Sequence, residues 1–184
     1  MRTKIMIALG VFVLAVLNWS VYTNEQLRQD GKVVYFKLAP VDPRSLMQGD
    51  YMQLNYALAD DAYSALQSDG AQIEGYSVER SRGKLVLRID EDNIARFSRV
   101  YAGGGNSPDS GSKANVLQEN EVLFPYFCNG YIVKIRPDSF MFQEGFREYY
   151  ERSEYGVFHF SDDGRYLLVG LADNEMKRLD APEE

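Results

Sequence analysis

Cysteine and histidine are almost missing from this chain, which has one of each among its 184 residues. Because Cys128 has no second cysteine to pair with, an internal disulfide is excluded and the fold must depend on packing. A zinc site of the usual type needs several cysteine and histidine ligands, and a Ser-His-Asp triad would have to use His159. We therefore expect no metal site and no cofactor.

Positive charge is also in short supply. The chain has 20 basic residues against 27 acidic ones, so its formal net charge is -7. A protein that binds nucleic acid neutralises phosphates with a basic patch or stripe, and no such cluster is visible along this sequence. We therefore exclude nucleic acid as an expected partner. With 45% hydrophobic residues, the chain has enough apolar material for a folded core.

An uncharged apolar run from Ile5 to Tyr22 opens the chain. As a helix that rises about 1.5 Å per residue, it would span roughly 27 Å, close to the thickness of a bilayer core. Trp19 and Tyr22, at the far end of the run, are typical of the membrane interface. The run therefore predicts a transmembrane helix that contacts membrane lipid.

A cleaved secretory signal that ends at Ala15 is the alternative for this segment. The apolar run continues past Ala15, and no polar region precedes that residue, so we expect an uncleaved anchor. We assign residues 1–24 to the anchor, residues 25–178 to one β-rich exported domain, and residues 179–184 to a disordered acidic tail. The short basic N-terminus, with Arg2 and Lys4, favours export of the long domain that follows.

Strand patterns dominate the chain after Lys32. Val33 to Leu38 is rich in β-branched and aromatic residues, and Met52, Leu54 and Tyr56 alternate with more polar neighbours. Asn129-Gly130 and the later Ser-Asp-Asp-Gly stretch predict hairpins. A further hairpin is predicted to turn near Arg82-Gly83. In the last hairpin, His159 is expected on the solvent side of its strand.

Two short helices complete the expected fold. One is predicted over Ala57–Ser68 and the other over Gln143–Arg152, where Phe146, Tyr149 and Tyr150 share a face. The fold class is therefore mainly β (α+β): an N-terminal transmembrane helix is followed by one antiparallel β-rich domain with two short helices.

The sequence PVDPRSLMQGDYMQLNY, residues 40–56, has the most specific pattern. Its Gly49, Asp50, Tyr51, Leu54 and Tyr56 fill every fixed place of G-D-Y-x-x-L-x-Y. The chain resembles the GDYXXLXY protein family of bacteria over nearly its whole length. The resemblance implies a membrane-anchored or exported protein without an established activity. It also implies a polytopic membrane protein as partner.

Three interpretations of the motif remain open. In the first, the loop is a rigid corner fixed by Asp42, Arg44 and Asp50, with Leu54 and Tyr56 in the core. In the second, the loop residues Asp42, Arg44, Gly49, Asp50 and Tyr51 form a docking surface for a protein or ligand. Outside the loop, Glu144 and Gly145 are a secondary candidate site.

The third interpretation is a signal-peptidase-like serine hydrolase that uses Ser45. A serine nucleophile needs a base within hydrogen-bond reach, and neither Lys84 nor Lys134 lies in a recognisable lysine motif. We therefore predict a binding or accessory protein without positive evidence of catalysis. We expect a single-pass protein of the bacterial inner membrane, with its C-terminal domain in the periplasm or otherwise outside the cytoplasm.

Overall fold

The computed structural model describes residues 2–39, 47–48, 51–70, 80–101 and 117–179. These residues form three helices: α1 (Arg2–Asp30), α2 (Ala57–Gly70) and α3 (Arg147–Tyr150). The strands are β1 (Lys32–Lys37), β2 (Met47–Gln48), β3 (Tyr51–Gln53), β4 (Ser81–Ile89), β5 (Ala95–Val100), β6 (Glu121–Cys128), β7 (Val133–Ile135), β8 (Ser139–Met141), β9 (Tyr155–Phe160), β10 (Tyr166–Ala172) and β11 (Arg178–Leu179). The expected fold class, with an apolar helix before a β-rich body, is confirmed.

The strands form three antiparallel sheets. One sheet has the order β1-β9-β10-β11, a second has the order β5-β4-β6-β7, and a small sheet has the order β2-β3-β8. Strand β1 reaches β9 across more than a hundred residues, with Val34 opposite Phe158. The first strand of the domain is therefore held by one of the last.

Aromatic rings fill the space between the two larger sheets. The ring centroid of Phe36 lies 4.4 Å from that of Phe158 and 5.0 Å from that of Phe124. These three side chains are fully buried and come from β1, β9 and β6. Burial of large aromatic side chains is a main source of folding free energy, so this cluster joins the two sheets into one core.

Helix α1 is the one helix in the described part of the chain that is long and apolar enough to cross a membrane. Its most apolar stretch has a mean hydropathy of 2.1, and none of that stretch is buried against the rest of the protein. The large apolar side chains from Ile5 to Tyr22 are 48% to 72% exposed. The helix therefore presents apolar surface on all sides.

The last turn of α1 behaves differently, because it packs on the domain. Leu27 is buried, and its carbonyl oxygen accepts a hydrogen bond of 3.1 Å from the Gly31 amide. His159 Nδ1 lies 3.3 Å from the same oxygen. The prediction of a solvent-facing His159 is wrong, because the end of α1 covers that face of β9. We call Leu27, Gly31 and His159 the junction.

The hairpins at Asn129-Gly130 and at Ser161–Arg165 are confirmed. Strands β6 and β7 pair on either side of the first, and β9 and β10 pair on either side of the second. The predicted turn at Arg82-Gly83 is wrong, because β4 runs straight through it. A Cβ atom at Gly83 would lie 2.9 Å from the Tyr126 ring. The glycine is therefore consistent with close cross-strand packing and not with a turn.

The real hairpin between β4 and β5 turns at residues 90–93. The Asp90 carboxylate accepts hydrogen bonds from the Asp92 and Ile94 amides and from Arg96 Nε. Burial raises the pKa of Asp90, but the hydrogen bonds from Ile94 and Arg96 lower it by more, so the net shift is downward. The Asp90 carboxylate therefore stabilises the turn between β4 and β5.

The two short helices differ in how closely their observed bounds agree with those predicted from the sequence. The helix predicted over Ala57–Ser68 is confirmed as α2, with Ala62 buried against the core. The helix predicted over Gln143–Arg152 is shorter and begins only at Arg147. Gly145 has a φ of +91°, and such a left-handed backbone cannot belong to a right-handed helix.

Candidate functional site

The described part of the motif is a short strand with its continuation, residues 51–56. Tyr51 to Gln53 form β3, which pairs with β8 so that Tyr51 faces Met141 and Gln53 faces Ser139. Four predicted loop residues lie outside the described residues: Asp42, Arg44, Gly49 and Asp50. The predictions for the loop itself therefore remain predictions.

One side of this segment enters the core. Met52, Leu54 and Tyr56 are buried, while Tyr51, Gln53 and Asn55 are exposed. The Tyr56 ring lies 5.9 Å from both Phe36 and Phe158, measured between centroids. Alternate residues of an extended chain point to opposite sides, so one short segment supplies both a core face and a surface.

The Tyr56 hydroxyl is held inside the domain. It donates a hydrogen bond of 2.7 Å to the Pro137 carbonyl oxygen. Burial raises the pKa of Tyr56, and the nearby Asp138 raises it further, so this phenol stays protonated at physiological pH. Its role in the described structure is to donate a hydrogen bond, and it has no tendency to act as a base.

Backbone hydrogen bonds tie the same segment to two other parts of the domain. The Leu54 amide donates to the Asp138 carbonyl oxygen over 2.9 Å, and the Asn55 carbonyl oxygen accepts from the Ala39 amide over 2.8 Å. The segment thus links the end of β1 to the connection between β7 and β8. These bonds fix the direction in which Gln53 and Asn55 point.

The exposed side of the segment forms one wall of a cleft of about 280 Å³. We call it the motif cleft. Asp60 from the first turn of α2, Lys134 from β7 and Asp138 contribute charged groups. Ile132 at the β6–β7 hairpin lies at the rim and is half exposed. The lining of the cleft therefore contains acidic and basic groups, and its rim contains an apolar side chain.

Further apolar side chains are exposed on the small sheet and at the β6–β7 hairpin. Met141, opposite Tyr51 on the small sheet, is 82% exposed, and Tyr131 precedes Ile132 at the hairpin. Exposed aromatic and methionine side chains are enriched at protein–protein interfaces. The combination of Tyr51, Met141, Tyr131 and Ile132 with a polar cleft is typical of a binding surface.

The cleft brings together charged groups of both signs. Among the described residues, no salt bridge involves Asp60, Lys134 or Asp138. The described lining contains no serine, cysteine or histidine. The arrangement can bind a segment that carries both hydrogen-bonding and apolar groups. The nucleophile types in its described lining are Lys134, the carboxylates Asp60 and Asp138, and Tyr56, whose hydroxyl already donates to Pro137.

The secondary candidates lie elsewhere. Glu144 and Gly145 are exposed at the turn before α3, and neither lines the motif cleft. Within the described residues, no group of three or more histidine, cysteine, aspartate or glutamate side chains could hold a metal ion.

Sequence reasoning found the motif segment but missed the other walls of the cleft. Asp60, Ile132, Lys134 and Asp138 come from a helix, a hairpin, a strand and a connection. None of them stands in a local pattern that marks a site. Only the fold brings them beside residues 53–56.

Comparison with known proteins gave a family and nothing more specific. A search of curated proteins and a search of solved structures both found no match. The family model described as GDYXXLXY protein matches residues 13–171, which is most of the chain. The motif that names this family supplies the buried Leu54 and Tyr56 described above. The chain belongs to the GDYXXLXY family.

Proposed function

We propose that this protein is a single-pass protein of the bacterial inner membrane that binds a polytopic membrane protein. In this proposal α1 stays in the membrane and the β domain lies outside the cytoplasm. The motif cleft binds an extended, solvent-exposed segment of the partner. The observation that carries the proposal is that α1 has unburied apolar surface over the length of a bilayer core and continues unbroken into the domain.

The junction supports retention of the helix. The apolar run and the buried Leu27 belong to one unbroken helix, so cleavage after Ala15 would divide an element whose last turn packs on the domain. The helix ends at Asp30 and β1 begins at Lys32, so only Gly31 separates them. Such a short connection would hold the domain close to the membrane surface.

The motif cleft supports binding to a neighbouring membrane protein. A domain held near the membrane surface has access to loops that emerge from adjacent membrane proteins. The cleft offers hydrogen-bonding groups at Gln53 and Asn55 and an apolar rim at Ile132. Such a surface fits a partner loop that is extended and carries both polar and apolar side chains.

A hydrolase that uses Ser45 has less support. Ser45 lies outside the described residues, and the described cleft lining supplies no histidine. The family match brings no activity with it. One substitution tests this alternative: Ser45→Ala should abolish function if Ser45 is a nucleophile, and an unaffected phenotype would exclude it.

Photo-crosslinking in intact membranes tests the proposed partner. A photoreactive amino acid at Gln53 or Ile132 should capture a protein that mass spectrometry identifies as polytopic. The same group at Asp92, an exposed turn residue that does not line the cleft, is the matched control. A Lys134→Glu change should reduce capture from Gln53 several-fold while leaving the amount of membrane-bound protein unchanged.

Three results would contradict the partner proposal. Equal capture from Gln53 and Asp92 would show random collision in the membrane. Capture that persists unchanged in both Lys134→Glu and Ile132→Asp would place the contact outside the motif cleft. Capture of soluble proteins alone would exclude a polytopic partner.

A further inference from the structure

A second cleft lies at the junction, where α1 meets the β9–β10 hairpin. It has a volume of about 390 Å³ and a largely polar lining. Its lining includes Gln26, Asp30, Lys32, Ser161, Asp162 and Arg165. The side chains of Leu27 and Phe160 add a buried apolar floor. We call it the junction cleft.

The position of the junction cleft along α1 sets its depth relative to a membrane. Tyr22 marks the end of the apolar run, and Gln26 and Asp30 follow it by four and eight residues. At about 1.5 Å per residue these side chains lie roughly 6 to 12 Å beyond Tyr22. Lipid headgroups occupy the first several ångströms outside the hydrocarbon core. With α1 in a bilayer, the Gln26 end of the cleft lies at the level of the headgroups, and the Asp30 end faces them from the aqueous side.

The cleft displays charges of both signs. Within the described residues, no salt bridge involves Asp30, Lys32 or Asp162. Arg165 uses its Nε for a contact of 2.7 Å with Asp163 Oδ2, and its terminal nitrogens are not part of that contact. The junction cleft therefore offers two carboxylates and two cationic groups to one small ligand.

We propose that the junction cleft binds a phospholipid headgroup that carries a phosphodiester and a primary ammonium, as in phosphatidylethanolamine. The phosphate binds Lys32 and Arg165, and the ammonium donates hydrogen bonds to Asp30 and Asp162. This inference depends on the membrane insertion of α1 that the proposed function includes, but not on the partner of the motif cleft.

The charge pattern selects this headgroup over two common alternatives. A purely anionic headgroup could place its phosphate on Lys32 and Arg165, but it would leave the carboxylates of Asp30 and Asp162 without a cationic partner. A choline headgroup has the right charges, but its quaternary ammonium has no N–H to donate to a carboxylate. A primary ammonium has three such donors, as the lysine side chain does.

The test uses the full-length chain in lipid nanodiscs. One set of discs contains phosphatidylethanolamine with phosphatidylglycerol, and the other replaces phosphatidylethanolamine with phosphatidylcholine. Native mass spectrometry then measures how much lipid remains bound after the disc is removed. We expect retention of one phosphatidylethanolamine per chain, at least tenfold above the retention of phosphatidylcholine.

Paired variants locate the binding. The double change Lys32→Gln and Asp162→Asn should reduce phosphatidylethanolamine retention about tenfold. The matched control is Lys37→Gln with Asp92→Asn, which alters the opposite end of the same strand and another exposed turn aspartate. The control should retain the lipid as the wild type does.

Each contrary result has a distinct meaning. Equal retention of the two zwitterionic lipids, or an equal effect of the two double variants, would overturn the headgroup proposal while leaving membrane insertion intact. Displacement of the bound lipid by an equal concentration of glycerophosphoethanolamine would exclude the lipid as the source of the ligand. Failure of the chain to enter nanodiscs at all would overturn the proposed membrane insertion, and the headgroup proposal with it.

Discussion

The apolar side chains of this protein lie in two regions that differ sharply in exposure. Between Ile5 and Tyr22 the large apolar side chains of α1 are about half to three-quarters exposed. In the domain, Phe36, Phe124 and Phe158 are fully buried. Exposed apolar surface on this scale is unfavourable in water. The apolar side chains of α1 therefore suit an apolar environment outside the protein, whereas those of the domain are removed from water by the protein's own core. The comparison indicates that the described core is built without the apolar run of α1, whose exposed surface is compatible with a membrane-spanning segment.

The first prediction compares the same substitution in the two regions. Phe158→Ala should lower the free energy of unfolding of the domain by about 3 to 5 kcal/mol, because it leaves a cavity in the aromatic core. Phe12→Ala should change it by less than about 0.5 kcal/mol, because Phe12 is 64% exposed. Denaturant unfolding in detergent, followed by tyrosine near-ultraviolet circular dichroism, measures both. A similar loss of unfolding free energy in the two variants would contradict the distinction between a buried core and an exposed helix.

The second prediction compares two arginines of β5, Arg96 and Arg99, which lie three residues apart. Arg99 contacts Glu121, whose side chain is 1% exposed, whereas the Arg96 side chain in its pair with Asp90 is 68% exposed. Arg99→Ala leaves a buried carboxylate without its guanidinium and should cost about 3 kcal/mol. Arg96→Ala should cost less than about 1 kcal/mol. The same unfolding measurement at pH 7 distinguishes them.

The Arg99–Glu121 pair also predicts a pH dependence. The hydrogen bond from Arg99 lowers the pKa of Glu121 below its ordinary value of 4.5, despite the opposing effect of burial. A carboxyl with a lowered pKa in the folded state contributes stability that is present above pH 4.5 and lost as the pH falls further. Wild type should therefore lose stability from pH 5 to pH 3 more steeply than Arg99→Ala. Parallel pH profiles would contradict the assignment.

The third prediction concerns the junction, where the two regions meet. A Cβ atom at Gly31 would lie 2.7 Å from the His159 Cβ atom and would also clash with the Leu27 carbonyl oxygen. Gly31→Ala should therefore cost about 1 to 3 kcal/mol, as overpacking typically does, and should displace the last turn of α1. Hydrogen exchange at residues 27–31 should rise. Gly10→Ala is the control, because nothing lies within 4 Å of its added Cβ atom. Equal effects of the two substitutions on stability and on hydrogen exchange would contradict the prediction.

The fourth and smallest effect concerns the motif tyrosine. Tyr56→Phe removes the hydroxyl that donates to the Pro137 carbonyl oxygen and should cost about 1 kcal/mol. Tyr131→Phe alters a 72% exposed ring and should be close to neutral. Thermal unfolding of the two variants side by side gives the difference. A neutral Tyr56→Phe would mean that the buried hydrogen bond adds nothing to stability.

Local patterns were sufficient for the elements whose signals are local. The alternation over residues 51–56 predicted the strand, and Asn129-Gly130 predicted a hairpin because its turn chemistry is written in adjacent residues. The apolar run predicted a long helix for the same reason. The sequence did not predict that the helix continues to Asp30 or that Leu27 is buried, because both depend on contacts with the folded domain.

The misses at Gly83, at His159 and in the walls of the motif cleft share one physical cause, which is contact between residues far apart in sequence. Gly83 resembles a turn residue, yet the ring of Tyr126 on the neighbouring strand explains it. His159 resembles a solvent-side residue until the end of α1 covers it. The motif cleft combines residue 39, residues 53–60 and residues 132–138, three separate stretches of the chain, in the same way. No window of the sequence contains these neighbours.

A fusion experiment tests the central claim most directly, namely that α1 stays in the membrane and holds the domain outside the cytoplasm. A phosphatase that is active only outside the cytoplasm is fused after Glu184, and its activity is measured in carbonate-washed membranes. The proposal predicts high phosphatase activity that remains in the washed membranes on a full-length chain. Activity released by the wash on a chain shortened past Tyr22, or activity seen only with a reporter that works inside the cytoplasm, would contradict it.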